Sequence, residues 1–216
     1  LKGRQLMQNA RITSTIAQVN AIEAASTTFL DTQGGLPGDL ANGATRIPNC
    51  SNCTPNATDA GDGRIGRPAW DLIVAQSNTA LAAPPTNVDN ETLLYWAMLA
   101  QSGLLGGISY DGSQLGAGAA RAGTHTPSAR IGGGFTVGYA NGVLATPNAV
   151  PTTTRLSGTV LFLSPSPTTA SSVVTGTQVM DPATAAQIDR KADDGLAATG
   201  RAQASGFNTA GGTGCF

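Results

Sequence analysis

The side chains able to do chemistry are few and unevenly placed: one histidine, three cysteines and thirteen acids in 216 residues. In the stretch NATDAGDGRI, Asn56, Asp59 and Asp62 recur at every third position and Gly63 follows. Calcium takes about six to eight oxygen ligands, and loops rich in Asp, Asn and Gly supply them. Glu91 could return from a later helix as a distant ligand. The EF-hand pattern, with acids at every second position, is not met. The commoner use of such residues is an Asx-rich turn, in which carboxylates accept from nearby backbone N–H groups. The turn is the favoured reading and calcium the alternative; no cofactor is required by either.

Asp189, Asp193 and Asp194 form a second acidic cluster. Asp189 and Asp193 stand one helical turn apart, where two carboxylates repel unless a cation intervenes. Arg190, Lys191 and Arg201 are the nearest cations in sequence, so a structural ion pair orienting this helix is expected. Cys50 and Cys53 can close a tight loop, and the odd count of cysteines leaves Cys215 over. Pro48 and Pro55 flank the pair, which disfavours a redox helix. A zinc set of three cysteines with His125 matches no usual spacing. A structural Cys50–Cys53 disulfide in an oxidising compartment is therefore expected.

Catalysis finds little support. Near His125 there is no nucleophile elbow for a serine hydrolase, and Gly132-Gly133-Gly134 is followed by no Lys-Ser/Thr of a phosphate loop. A net charge of −1 gives no footprint for nucleic acid. The expectation is a protein that is not an enzyme.

The elements that must carry these residues begin with one long helix over Leu1–Leu30. Ile12, Ile16, Val19, Ile22 and Phe29 recur at steps of three, four or seven and share one stripe. No stop signal appears before Gly34-Gly35. Its first turns hold Lys2, Arg4 and Arg11 with no acid before Glu23, as fits an end that protrudes towards headgroups or neighbouring subunits, or a solvated helical end. Residues Ala41–Pro68 show no period and read as a long loop. A short helix is expected at Ala69–Ala82. A core helix is expected at Asn90–Ser102, capped by Asp89 and ended by Gly103, with Tyr95 and Trp96 at the core or its boundary. Strands are expected at Gly134–Ala140 and Leu156–Ser164. Asn141-Gly142 signals a hairpin towards Val143-Leu144. Asp181-Pro182 starts a helix running to about Ala192, and a last strand is expected at Gly200–Ser205. The order gives an α+β fold, a long N-terminal helix packed against an antiparallel sheet with short helices and long loops. The division expected is a helical spine over residues 1–33 and a globular head over 34–216. No run of about 18 apolar residues is present. Leu1 falls inside a helical pattern without an initiator Met, so a preceding segment is expected.

Several pieces together resemble one family. The helix ending FLDTQGGLPGD (Phe29 to Asp39) is similar to type IV pilin-like proteins just after their membrane segment. Gly61-Asp62-Gly63-Arg64-Ile65, then ETLLYWAMLAQSGL from Glu91 to Leu104, then IDRKADDG from Ile188 to Gly195 with Thr199-Gly200-Arg201, follow in the family's order. The resemblance implies a structural subunit of a type IV pilus, or a pseudopilin of a type II secretion filament, assembled through its N-terminal helix with the head exposed. It implies a membrane-inserted segment upstream, with a processing and methylation site that is not in this sequence. Implied partners are other pilin subunits and, before assembly, the inner membrane; the implied place is the bacterial cell surface or periplasm. Some pseudopilins hold calcium near the C-terminus, so calcium is considered there too. The alternative within the resemblance is a tip-located minor pilin acting in adhesion or DNA uptake, with glycan or DNA contacts on the loops Gly106–Gly134 and Pro165–Thr177.

Overall fold

The computed structural model describes residues 2–55, 57, 60–66, 91–113, 115, 120–141, 157–165, 179–196 and 199–202. Helix α1 runs from Lys2 to Gln33, 32 residues, or about 48 Å at 1.5 Å per residue. It ends where Gly34 N–H donates to the Leu30 carbonyl at 2.8 Å. The stripe is real but graded. Ile12, Ile22 and Phe29 are buried, Ile16 and Val19 half-buried, and Thr15 and Ala25 complete the buried face. Removing a side chain as enclosed as Phe29 typically costs about 3–5 kcal/mol. Residues 3–10 are all exposed, though Gln8 Nε2 donates to Thr184 Oγ1.

The stretch read as one unstructured loop contains a one-turn helix, α2, at Gly43–Arg46. Cys50 and Cys53 follow, buried and joined by a disulfide with Cα atoms 5.2 Å apart. Helix α3, Glu91–Gln101, is buried along its length from Glu91 to Leu99, as a helix apolar on all sides must be. Trp96 is fully enclosed, and Tyr95 meets it edge-on at 4.8 Å between ring centres. Strands β1 (Gly134–Asn141) and β2 (Ser157–Ser164) pair antiparallel, Gly134 opposite Ser164 and Asn141 opposite Ser157. Phe135 and Val137 alternate into the core. Helix α4, Pro182–Ala192, begins with Asp181 accepting from Thr184 N–H at 2.9 Å and with Pro at its first turn.

Helix α3 touches both α1 and β1, while α1 also touches α4. The long helix therefore leans on two helices as well as on the head's core. Gln18 fastens it further: Nε2 donates to the Ser128 carbonyl and Oε1 accepts from Arg130 N–H, both at 3.0 Å. One side chain thus zips the spine to the chain leading into β1. The expected helix at 69–82, its neighbour's cap Asp89 and the hairpin partner at 143–144 lie outside the described residues. So does Cys215. The last strand expected from Gly200 is not seen over 200–202, which form a bend and loop; residues 203–205 lie outside the described set. Among the described residues no helix is long and apolar enough to cross a membrane.

Candidate functional site

Two acidic centres and one helix face are the features able to act. The first centre is built on Asp39. Gly38 brings the turn after α1 against α3 so closely that a Cβ there would lie 2.5 Å from the Glu91 carbonyl, and its φ is +90°. Its N–H donates to Met98 Sδ at 3.0 Å. Asp39 is thereby buried, 4% exposed. Its Oδ1 accepts from Gly61 N–H and, at 3.1 Å, from Asp62 N–H; its Oδ2 accepts from Gly63 N–H at 2.9 Å. Burial pushes its carboxyl up from the usual value, and the amides of Gly63 and Gly61 oppose that shift. Three successive amides converge on one carboxylate, so this centre ties the loop at 61–63 to the end of the spine.

Of the four residues expected to ligate calcium, Asn56 and Asp59 lie outside the described residues. Asp62 is exposed, and its Oδ1 accepts from Arg64 N–H at 2.9 Å, an Asx turn. Glu91 is buried, and its Oε2 accepts from Gly66 N–H at 2.8 Å. Asp39 escaped the sequence reading as a functional residue. The signal was present in two places, Pro37-Gly38-Asp39 and Gly61-Asp62-Gly63, but nothing local says that one serves the other.

The second centre is at the end of α4. Asp189, Asp193 and Asp194 each bring a carboxylate oxygen within 4.8 Å of the others. The expected ion pair with Arg201 is not what forms. Its guanidinium reaches Glu23 on α1 at 2.7 Å, while its backbone N–H donates to Asp193 Oδ2, joined by Ala202 N–H at 2.9 Å. Asp194 accepts from Leu196 N–H at 2.8 Å and Thr199 Oγ1–H at 2.6 Å, and these bonds hold its carboxyl below the usual range. Asp189 differs. It is 5% exposed, and among the described residues neither carboxylate oxygen has a hydrogen-bond partner. Burial raises its carboxyl first, and the neighbouring charges of Asp194 and Asp193 raise it further. The Gly195 amide faces it and opposes the shift without reaching hydrogen-bond geometry.

The third feature is the exposed start of α1, where Leu6 and Met7 are 70% and 61% exposed. His125 is half-buried; its ring meets Tyr110 edge-on at 5.3 Å, and its Nδ1 accepts from Arg121 N–H at 3.0 Å. That bond commits the ring to shaping its own turn. No family model, curated protein or solved structure matches this chain.

Proposed function

We propose that this chain is a structural subunit of a bacterial type IV pilus or a related secretion pseudopilus, a non-enzymatic protein that works by assembly. In this reading α1 is the head-proximal part of a spine whose upstream portion sits in the inner membrane before assembly and among other subunits afterwards. The single observation that carries it is the division of α1. From Ile12 to Phe29 one face is buried on the head, whereas residues 3–10 are all exposed, Leu6 and Met7 among them, with Gln8 Nε2 alone reaching Thr184 Oγ1 on α4. A helix stabilised by its own domain over most of its length, then continued for about two turns with apolar side chains in water, is suited to a neighbour or a membrane at that end. The disulfide between Cys50 and Cys53 fits an oxidising compartment.

The test is fractionation of the source cell expressing the chain from its own gene, with whatever precedes Leu1. The reading expects a short basic leader and roughly 20 apolar residues upstream. It expects the chain in the inner membrane and in filaments sheared from the surface or assembled in the periplasm. Replacing Leu6 and Met7 by Asp should deplete it from filaments while leaving it in the membrane. Absence from both membrane and filaments overturns the reading.

A further inference from the structure

Where α1 ends, the chain leaves an open groove of about 520 Å³ whose walls include Leu30, Leu36, Asp39 and Leu40. Leu30 is 42% exposed there, and Leu36 is half-buried. The charge around the groove is negative. Asp39 lines it, the exposed Asp31 follows Leu30, and the exposed Asp62 stands between Gly61 and Gly63, which both line it. The carbonyl end of a 32-residue helix adds to that field. Of the nearby cations, Arg64 lies over the Tyr139 ring at 5.0 Å, and Arg46 does not line the groove. The opposite end of the same helix is its complement. Arg4, Met7 and Arg11 stand at i, i+3 and i+7 and share a face, with Leu6 beside it. All four are exposed, and no acid precedes Glu23. Among the described residues neither arginine forms an ion pair. The bond from Gln8 to Thr184 on α4 steadies this end of the helix.

We propose that this groove receives the first turns of α1 from a second copy of the chain. Leu6 and Met7 lie on Leu30, Leu36 and Leu40, and Arg4 and Arg11 lie beside Asp31 and Asp62. Apolar contact supplies the attraction, and the charges supply the direction, because two basic ends or two acidic grooves repel. One copy cannot fill its own groove, since Met7 and Leu30 are ~35 Å apart along one helix at 1.5 Å per residue. The contact joins unlike surfaces and is therefore heterologous. Each copy takes one neighbour in its groove and offers its own α1 to the next. Such a contact extends a row of subunits by about 35 Å along α1 at each step. The inference rests on the filament reading and deepens it: it names the surface that faces the exposed turns of α1.

The experiment puts Met7→Cys in one chain and Leu30→Cys in another, each with Cys215→Ser. Both are expressed together from the full gene in the source cell. Filaments are collected and treated with a thiol-specific crosslinker. The mixed dimer should form about tenfold more than a dimer of either chain alone. Adding Arg4→Glu and Arg11→Glu to the Met7→Cys chain should cut the yield by about tenfold. Asp31→Arg in the Leu30→Cys chain should cut it too, and the two reversals together should restore it. Chains present in filaments without the mixed dimer overturn the groove contact and leave the filament reading standing. Chains absent from both filaments and membrane overturn that reading, and this inference with it. A Met7→Cys dimer as abundant as the mixed one also overturns the inference, since the basic ends would then meet each other or a shared partner. So does a mixed dimer indifferent to both charge reversals. Should Leu30→Cys fail to fold, Leu36→Cys offers a second position in the groove.

Discussion

Asp39 and Asp189 are buried to the same degree, 4% and 5% exposed, and live in opposite surroundings. Three backbone amides converge on Asp39. Among the described residues none comes into hydrogen-bond geometry with Asp189, which the Gly195 amide only faces and which lies beside two further carboxylates. Burial raises both carboxyl groups; the amides then oppose the shift at Asp39, while the neighbouring charges add to it at Asp189. A buried carboxylate that its own fold satisfies is a fastener. One that its fold leaves unsatisfied costs stability for as long as it stays charged. Substitution should therefore act with opposite sign at the two places.

The largest effect is expected where the first centre is set up. Gly38→Ala drives a Cβ into the Glu91 carbonyl at a positive φ and should cost about 3 kcal/mol or more, read as a lower midpoint in urea unfolding. Asp39→Ala should follow at about 2–3 kcal/mol, because it strips the amides of Asp62 and Gly63 of their acceptor, while Gly61 N–H keeps the Asp39 carbonyl at 2.9 Å. Asp39→Asn should lose less, since one oxygen still accepts. Amide hydrogen exchange at Asp62 and Gly63 should quicken in Asp39→Ala. If Asp39→Ala is neutral, the fastener account fails.

Asp189→Asn should move stability the other way, upward by about 1 kcal/mol, since it removes a buried charge that lies beside two like charges and keeps the shape. A fall as large as that of Asp39→Ala would show that the two centres are alike after all.

How much of this was legible follows from where each signal lies. The stripe from Ile12 to Phe29, the run Leu93–Leu99, the alternation Phe135–Val137 and the pair Asp181-Pro182 are local patterns, and each marks an element that forms. Helix α2 has no such pattern, being a single turn of Gly43-Ala44-Thr45-Arg46 held by its surroundings. The convergence of Asp189 with Asp193 is written in their spacing. That Arg201 turns to Glu23 is not, because those residues meet only once α4 has packed on α1. Asp39 and the amides at 61–63 were hidden for the same reason: backbone N–H groups have no side-chain signature, and the link spans more than twenty residues.

The link from the second centre to the spine is weaker. Glu23 and Arg201 are 53% and 76% exposed, and an exposed ion pair contributes about 0.5 kcal/mol or less. A double-mutant cycle with Glu23→Gln and Arg201→Gln should find a coupling of that size, and added salt should shrink it. A coupling well above about 1 kcal/mol would show that the pair is more than a surface contact.

The smallest effect belongs to Asp181, at the other end of the same helix. It is a carboxylate in water whose partners are complete: Thr184 N–H and, at 2.7 Å, Thr184 Oγ1–H. Those bonds hold its carboxyl below the usual value, the opposite direction from Asp39 and Asp189. For an acid with a depressed folded pKa, the stabilisation is present above the unfolded value. It is lost as pH falls through the folded one, because the unfolded chain takes up the proton first. Asp181→Ala should therefore lower Tm slightly at neutral pH, and the difference from wild type should shrink as acid protonates the carboxyl in both states. A difference that persists undiminished in acid would mean that Asp181 acts through its hydrogen-bond geometry and not its charge. The contrast among the three aspartates would then rest on burial alone.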